Sequence, residues 1–396
     1  MVIKFFYGIL SFLIFLSIFS LNSLLVFGLE KKIIWQKTYG GDNFDISSEI
    51  ICTKENNFLV VGNTNSQGAG NSDAWVIKLD QTGNIIWEKT YGSQANDGAN
   101  SIIETVDNGY IICGYTWSQS AKKDDGWIFK IDGNGIKIWE KVYGGKSFDK
   151  LFSIIKDSED NYIAIGTNSS HGGGNSDAWV LKFDQEGNLI WDKTYGKEAN
   201  EGAYSVIETY DRGYIICGYV WSEDKKDDGW IFKIDRNGRK IWEKTYGSIN
   251  SDRLVSVIKS WDQGYIATGF ADRNSCSLCD EQGYIWVINL SEEGELTWER
   301  KFGGSVYDMA YKVIQSQEGY ILVGRTKLQS SKTFSAWLLK VDKKGNVLDD
   351  LVITNNKDNY FKSIATDKDG GNFFILGDTW FETSGMSDLW LLKIHP

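Results

Sequence analysis

Proline is nearly absent. Of 396 residues only Pro396, the last, is a proline, so nothing in the body of the chain deprives a strand of a ladder hydrogen bond. Histidine is almost as scarce: His171 and His395 are the only two, and conventional acid–base or nucleophilic catalysis loses its commonest participant. His171 opens the run HGGG, the form of an esterase oxyanion loop, yet the chain has no GxSxG elbow, and another repeat reads QGAG (Gln67 to Gly70) in the same place. Positive charge is also in deficit. With 42 Lys and Arg against 53 Asp and Glu the formal charge is −11, which excludes a partner held by its phosphate backbone, so no nucleic acid is expected.

Cysteine is sparse and odd in number, at five. Cys52, Cys113 and Cys217 lie in apolar runs (SEIIC, YIICG) and read as small buried hydrophobes. Cys276 and Cys279, in ADRNSCSLCDEQG, could pair with each other in an oxidising compartment or remain two thiols. With no second CxxC and no histidine nearby, no metal site is expected there. Helix starts are few as well.

What the chain does have is aromatic residues, 17 Trp, 19 Tyr and 20 Phe, together with 42 Gly, a composition suited to strands and tight turns. They are arranged periodically. Trp75, Trp127, Trp179, Trp230, Trp286, Trp337 and Trp390 recur at intervals near fifty residues, each inside a version of DAWVIKLDQTGNIIWEKTYG (Asp73 to Gly92), the mark of a repeat architecture. Residues 1–28 differ: Lys4 precedes an almost wholly apolar run that ends at Gly28. This segment reads as a secretory signal peptide cleaved before Leu29, or else as an uncleaved membrane anchor. Residues 29–396 then form one domain placed outside the cytoplasm, whether secreted, periplasmic or on the cell surface.

Within residues 97–143, SIIETVD meets GYIICGYT through Asp-Asn-Gly, and GWIFKID meets IKIWEKVYG through Asp-Gly-Asn-Gly, so two tight hairpins give four strands per repeat. YIICGY is apolar on both faces, as a strand covered on both sides should be. IIWEKTY carries a wet face with Glu88 and Thr90, so it belongs on the outer edge and SIIETVD on the inner. Seven such sheets describe an all-β, seven-bladed β-propeller with four antiparallel strands per blade. The chain begins with a lone outer-type strand (Ile33 to Gly40) and ends on a set that lacks one, so the N-terminal strand is expected to complete the C-terminal blade and close the ring.

The composite TYGGxxxDxAxSIIxTxDxGYIIxGYTxS…DAWVIKLDxxGNIIW resembles the bacterial seven-bladed propeller repeat of exported and cell-surface proteins, over essentially residues 33–394. LDQTGNIIW, KIDGNGIKIW and KFDQEGNLIW also look like the tryptophan-docking segment of quinoprotein-type propellers, in which the Trp wedges between blades. That second resemblance would imply a quinone only alongside a vicinal cysteine pair, which the chain lacks; no cofactor is expected.

Two tight turns per repeat fall on one rim and two longer loops on the other, and loops on a rigid scaffold are where binding residues concentrate. Three tryptophans follow a strand at a comparable offset on the loop-rich rim, Trp117, Trp221 and Trp380, with Lys122, Lys123, Lys225 and Lys226 beside the first two. Such a platform suits stacking on a glycan or anchoring an envelope protein. The shared KKDDGWIFKID of repeats two and four, like the GNSDAW of repeats one and three, marks a duplicated two-blade unit. Each connection into an inner strand carries an acid or its amide: Asp45, Asp97, Asp149, Glu201, Asp252, Asp308, and Asp358 or Asn359. A ring of carboxylates could hold a cation or a basic partner, although an acid after a glycine turn more often accepts hydrogen bonds from its own loop. The expectation is therefore an exported, monomeric binding or scaffold module. A polysaccharide hydrolase or lyase with paired carboxylates near the channel mouth is the alternative.

Overall fold

The computed structural model describes residues 25–28, 33–118, 123–197, 199–222, 225–273, 283–304, 307–328, 331–381 and 386–395. The leader upstream of Leu25, Lys122, Cys276 and Cys279 lie outside the described residues. Among those described, every regular element is a β-strand.

Each repeat folds into one antiparallel sheet whose strands run in chain order from the central channel outwards. Blade two is typical: Asp97–Glu104 is innermost, then Tyr110–Ser118, Lys123–Ile131 and the outer Lys137–Tyr143. The outer strands alternate between exposed and half-buried residues, and the middle two are buried on both faces, the order that their charge patterns dictate.

Each seam between neighbouring blades contains its own apolar cluster. Between blades one and two, Val61, Val76 and Tyr91 meet Ile102, Ile112, Trp127 and Phe129. The seventh seam is built like the others, with Leu376, Leu389 and Tyr39 against Phe58, Trp75 and Ile77. It exists because Ile33–Tyr39 pairs antiparallel with Met386–Ile394, Ile33 opposite Ile394 and Tyr39 opposite Leu389. The N-terminal strand thus supplies the outer strand of blade seven.

A second device locks the seams from outside. The outer-strand tyrosine of one blade donates its hydroxyl to a glycine carbonyl in the third-to-outer turn of the next: Tyr39 to Gly83 (2.7 Å), Tyr91 to Gly135 (2.6 Å), Tyr143 to Gly187 (3.0 Å), Tyr195 to Gly238 (2.6 Å), and Tyr246 to Gly294. Trp87 adds its indole N–H to the Gly133 carbonyl at 3.2 Å, so the outer-strand tryptophan does wedge against the neighbouring blade. Blade six departs from this pattern, with Asp349, Leu351 and Ile353 where Trp, Lys and Tyr stand in blade one. The reason is topological: blade seven takes its outer strand from the other end of the chain, so it has no third-to-outer turn to clasp. Leu25–Gly28 pairs with Leu351–Thr354 along that edge, making this the one five-stranded sheet.

Inside, every inner strand carries a bulge, as between Ala99 and Ser101, and in blades two, four, five and seven the serine that follows it ties neighbouring inner strands together. Ser101 Oγ accepts the Ile154 amide at 3.2 Å, and Ser256 and Ser363 Oγ accept the Val313 and Ile50 amides in the same way. In blade one Glu49 takes the serine's place, accepting from Ser101 Oγ at 2.5 Å and pairing with Lys312 of blade six at 2.7 Å.

Candidate functional site

In blades two, four and seven the second and third strands continue as two-stranded arms on the loop-rich rim. Register holds through Thr116 opposite Asp125, Trp117 opposite Asp124 and Ser118 opposite Lys123, and likewise through Trp221 opposite Asp227 and Trp380 opposite Ser387. Of the polar run WSQSAKKDD, expected to be a loop, the described residues Trp117, Ser118 and Lys123 to Asp125 are strand. Trp117 is half-buried and Trp221 is 38% exposed. Lys123 leans from its arm over the ring of Phe148 in blade three, 4.0 Å from the centroid. Lys225 opens the third strand of blade four, and Lys226 is half-buried beside it. Trp380 sits differently, packed edge-on against Phe44 of blade one at 5.7 Å, which makes it a wedge at the closing seam.

The acids lie beneath this rim. Asp97, Asp149 and Glu201 are each the first residue of an inner strand and are buried, so the structure does not present them to a ligand as an open ring. They brace the loops above them. Asp97 accepts the Ser93 amide at 2.5 Å with one oxygen and the Trp117 amide at 3.2 Å with the other; Asp149 accepts the Gly145 and Ser169 amides at 2.9 and 2.8 Å. A buried carboxylate satisfied by backbone donors is a positioning group, and Asp97 positions the strand that carries Trp117.

A second acid, unremarked in the repeat pattern, sits opposite the first. Asp73 of blade one and Asp97 of blade two close on Gly92, their oxygens 2.5 and 2.6 Å from where a Cβ would stand. Asp388 with Asp45, Asp125 with Asp149, Asp177 with Glu201, and Asp228 with Asp252 repeat the arrangement around Gly40, Gly144, Gly196 and Gly247. At one remaining seam both acids are absent together, leaving Ser335 and Asn359. Burial, reinforced by Asp45, lifts the Asp388 carboxyl to about 6. Carboxylate pairs therefore exist, but enclosed by glycines and loop amides they cannot reach a glycosidic bond.

The channel mouth holds a further duplicated group. Lys150 of blade three lies 4.0 Å above the Tyr115 ring of blade two and pairs with Asp124 at 2.7 Å. Two blades on, Arg253 of blade five lies 4.0 Å above Tyr219 of blade four, pairs with Asp227 at 2.6 Å and donates to the Tyr204 hydroxyl at 2.8 Å. Glycine makes the room: a Cβ on Gly98 or Gly202 would strike the Tyr115 or Tyr219 ring. Tyr204 stacks on Tyr219 at 5.5 Å and tilts against Phe152 at the same distance, giving an aromatic wall. Burial pushes the Tyr204 hydroxyl up and that of Tyr219 to about 12, so both stay protonated near neutrality and serve as hydrogen-bonding groups rather than bases.

The structure thus brings Trp117, Trp221, Trp380, Lys123 and Lys226 to one rim, packs Trp380 against the neighbouring blade and buries Asp97, Asp149 and Glu201. Tyr115, Lys150, Tyr219 and Arg253 were missed, although one signal was available: the two KKDD blades share Gly at the second inner position, and each following blade puts a basic residue there. Among the described residues no cluster of three metal-ligating side chains occurs, and Asp80 spends its carboxylate on the amides of its own turn, Thr82 at 2.8 Å and Asn84 at 2.9 Å.

No family model matches the chain. Curated relatives are the matrix proteins of Lagos bat virus and of European bat lyssavirus 1, 27% and 28% identical over 107 residues, or 26% of this chain. The chain spans about half the length of the curated relatives it matches. Among solved structures it is similar to Sqt1 from Chaetomium thermophilum (TM-score 0.53, 10% identity, 94% of this chain and 100% of that one). It is also similar to the polysaccharide lyase Uly1 (TM-score 0.50, 6% identity, 92% and 99%). At these identities the likeness is one of fold.

Proposed function

We propose that this chain is an exported, non-catalytic binding module that holds a glycan on its loop-rich rim, between the arms of blades two and four and the channel mouth. The observation that carries the reading is the duplicated constellation: Trp on a projecting arm, Lys at its side, and below it a basic residue laid over a tyrosine and fixed by an acid. Flat aromatic faces flanked by charged and hydroxylated groups match sugar rings, which offer an apolar face and a polar edge. The carboxylate pairs, held beneath the rim by loop amides, favour retention over bond cleavage. The fold that this chain has in common with Uly1 and Sqt1 is compatible with either a polysaccharide or a protein as occupant.

The test is a screen against purified polysaccharides scored for retention and for product release. Retention without release, weakened at least tenfold when Trp117 and Trp221 are both replaced by Ala, is the expected result. Release of shortened chains supports a lyase or hydrolase instead, and retention indifferent to both substitutions removes the rim from consideration.

A further inference from the structure

The opposite rim, where tight turns leave little to bind with, has one place where three departures from the repeat coincide. In blade five the second residue beyond the inner strand is Trp261, where other blades have Lys54, Val106, Ser158 or the smaller aromatic Tyr210. In blade six the inner-to-second turn is short, closed by Ser316 and Gly319 exchanging backbone hydrogen bonds at 2.9 and 3.3 Å, whereas blade one closes from Thr53 to Asn57. In blade seven the same turn is long, closed by the Asp367 amide donating to the Asn372 carbonyl at 3.2 Å. Between the short turn and the long one lies a cavity of about 520 Å³, bordered by Trp261, Gln315, Gln317, Glu318 and Lys340.

Trp261 is held, not loose. Its indole N–H donates to the Gly319 carbonyl at 3.3 Å, its amide to the Tyr320 hydroxyl at 3.3 Å, and the Lys343 ammonium sits 4.0 Å from its ring. The ring nevertheless remains 46% exposed. An aromatic face fixed in place at the edge of an open cavity costs little ordering on binding. Around it Gln315 is oriented by its donation to the Lys259 carbonyl at 2.9 Å, and Lys340 is paired with Glu318 at 2.6 Å, so with Lys343 over the ring the lining offers donors and acceptors and charges of both signs.

We infer that this cavity is a second binding site, for a neutral saccharide whose apolar ring face stacks on Trp261 and whose hydroxyls meet Gln315, Gln317 and the Lys340–Glu318 pair. A charged ligand would meet its like, Glu318 or Lys343, and a flat apolar ligand would strand the amides. The site shares no residue with the arms of blades two and four, so each stands or falls alone.

The experiment uses the full chain with four neutral hexasaccharides, of β-1,4-linked glucose, xylose, mannose and N-acetylglucosamine, followed by calorimetry and by quenching of tryptophan fluorescence. At least one should bind, and Trp261→Ala should weaken it tenfold or more while the Trp117→Ala, Trp221→Ala double variant leaves it unchanged. Should Trp261→Ala fail to fold, Gln317→Ala, at an exposed turn tip, takes its place with the same expectation. Binding of none of the four, or binding that survives Trp261→Ala in a folded protein, overturns the site. Binding lost only in the double variant assigns the sugar to the loop-rich rim and likewise overturns it.

Discussion

Single residues decide how closely the strands of a blade approach. A Cβ on Gly114 would overlap the Gly98 carbonyl, because the inner-strand bulge draws that backbone onto the second strand. Gly62, Gly166, Gly218, Gly269, Gly324 and Gly377 face the same obstacle. Gly114→Ala should therefore cost about 1–3 kcal/mol, the ordinary penalty for forcing volume into a packed interior, measured as a lower denaturation midpoint with unchanged slope. The Asp388–Asp45 pair makes a prediction of the opposite sign. Burial and then Asp45 raise the Asp388 carboxyl to about 6, opposed by Lys357, so the folded state keeps its proton at pH values where the unfolded chain releases it. This group's contribution is favourable in acid and is lost as pH rises through 6. Asp388→Asn should accordingly raise the melting temperature at pH 8 and change it little at pH 4; an equal effect at both would show that the Asp388 carboxyl is not raised in the folded state.

At the scale of strands, much was legible beforehand. YIICGY and IIWEKTY disclosed by their polarity alone which is covered and which forms the edge, and Asp-x-x-Gly placed the turns. The arms were not legible. The residues that the arm buries are acids, Asp124 and Asp125, and not apolar side chains, so WSQSAKKDD shows no apolar alternation and reads as loop. Nor was the channel-mouth group, since Tyr115 and Lys150 belong to different repeats and meet only when the blades are set side by side. The closing strand is the element with the largest consequence. Deleting residues 33–40 removes Tyr39 and the partner of Met386–Ile394 and should lower the melting temperature by many degrees, as followed by calorimetry.

For the molecule as a whole, the seven seams are chemically similar but not identical, and two are set apart. Five carry the tyrosine clasp; blade five offers Phe302 in its place, and blade six offers Ile353. The seams between blades five and six and between six and seven thus have neither clasp nor acid pair, Tyr284 and Ser335 standing where the second acid stands elsewhere, and the cavity beside Trp261 lies on their turn side. Repetition provides the scaffold, and what is individual about the protein sits where repetition lapses: the arms, the channel mouth and two irregular seams.

Because Ile33 lies opposite Ile394, the strand that opens the ring of blades and the strand that ends it are neighbours in space. Which residue comes first is then an accident of the gene rather than a property of the ring. A rearranged chain of residues 33–394 that starts at Asp149, with Ile394 joined to Ile33 by a short flexible linker, should reach the same ring and melt within a few degrees of the unpermuted 33–394 chain, while the assignment of a first and a last blade loses its meaning.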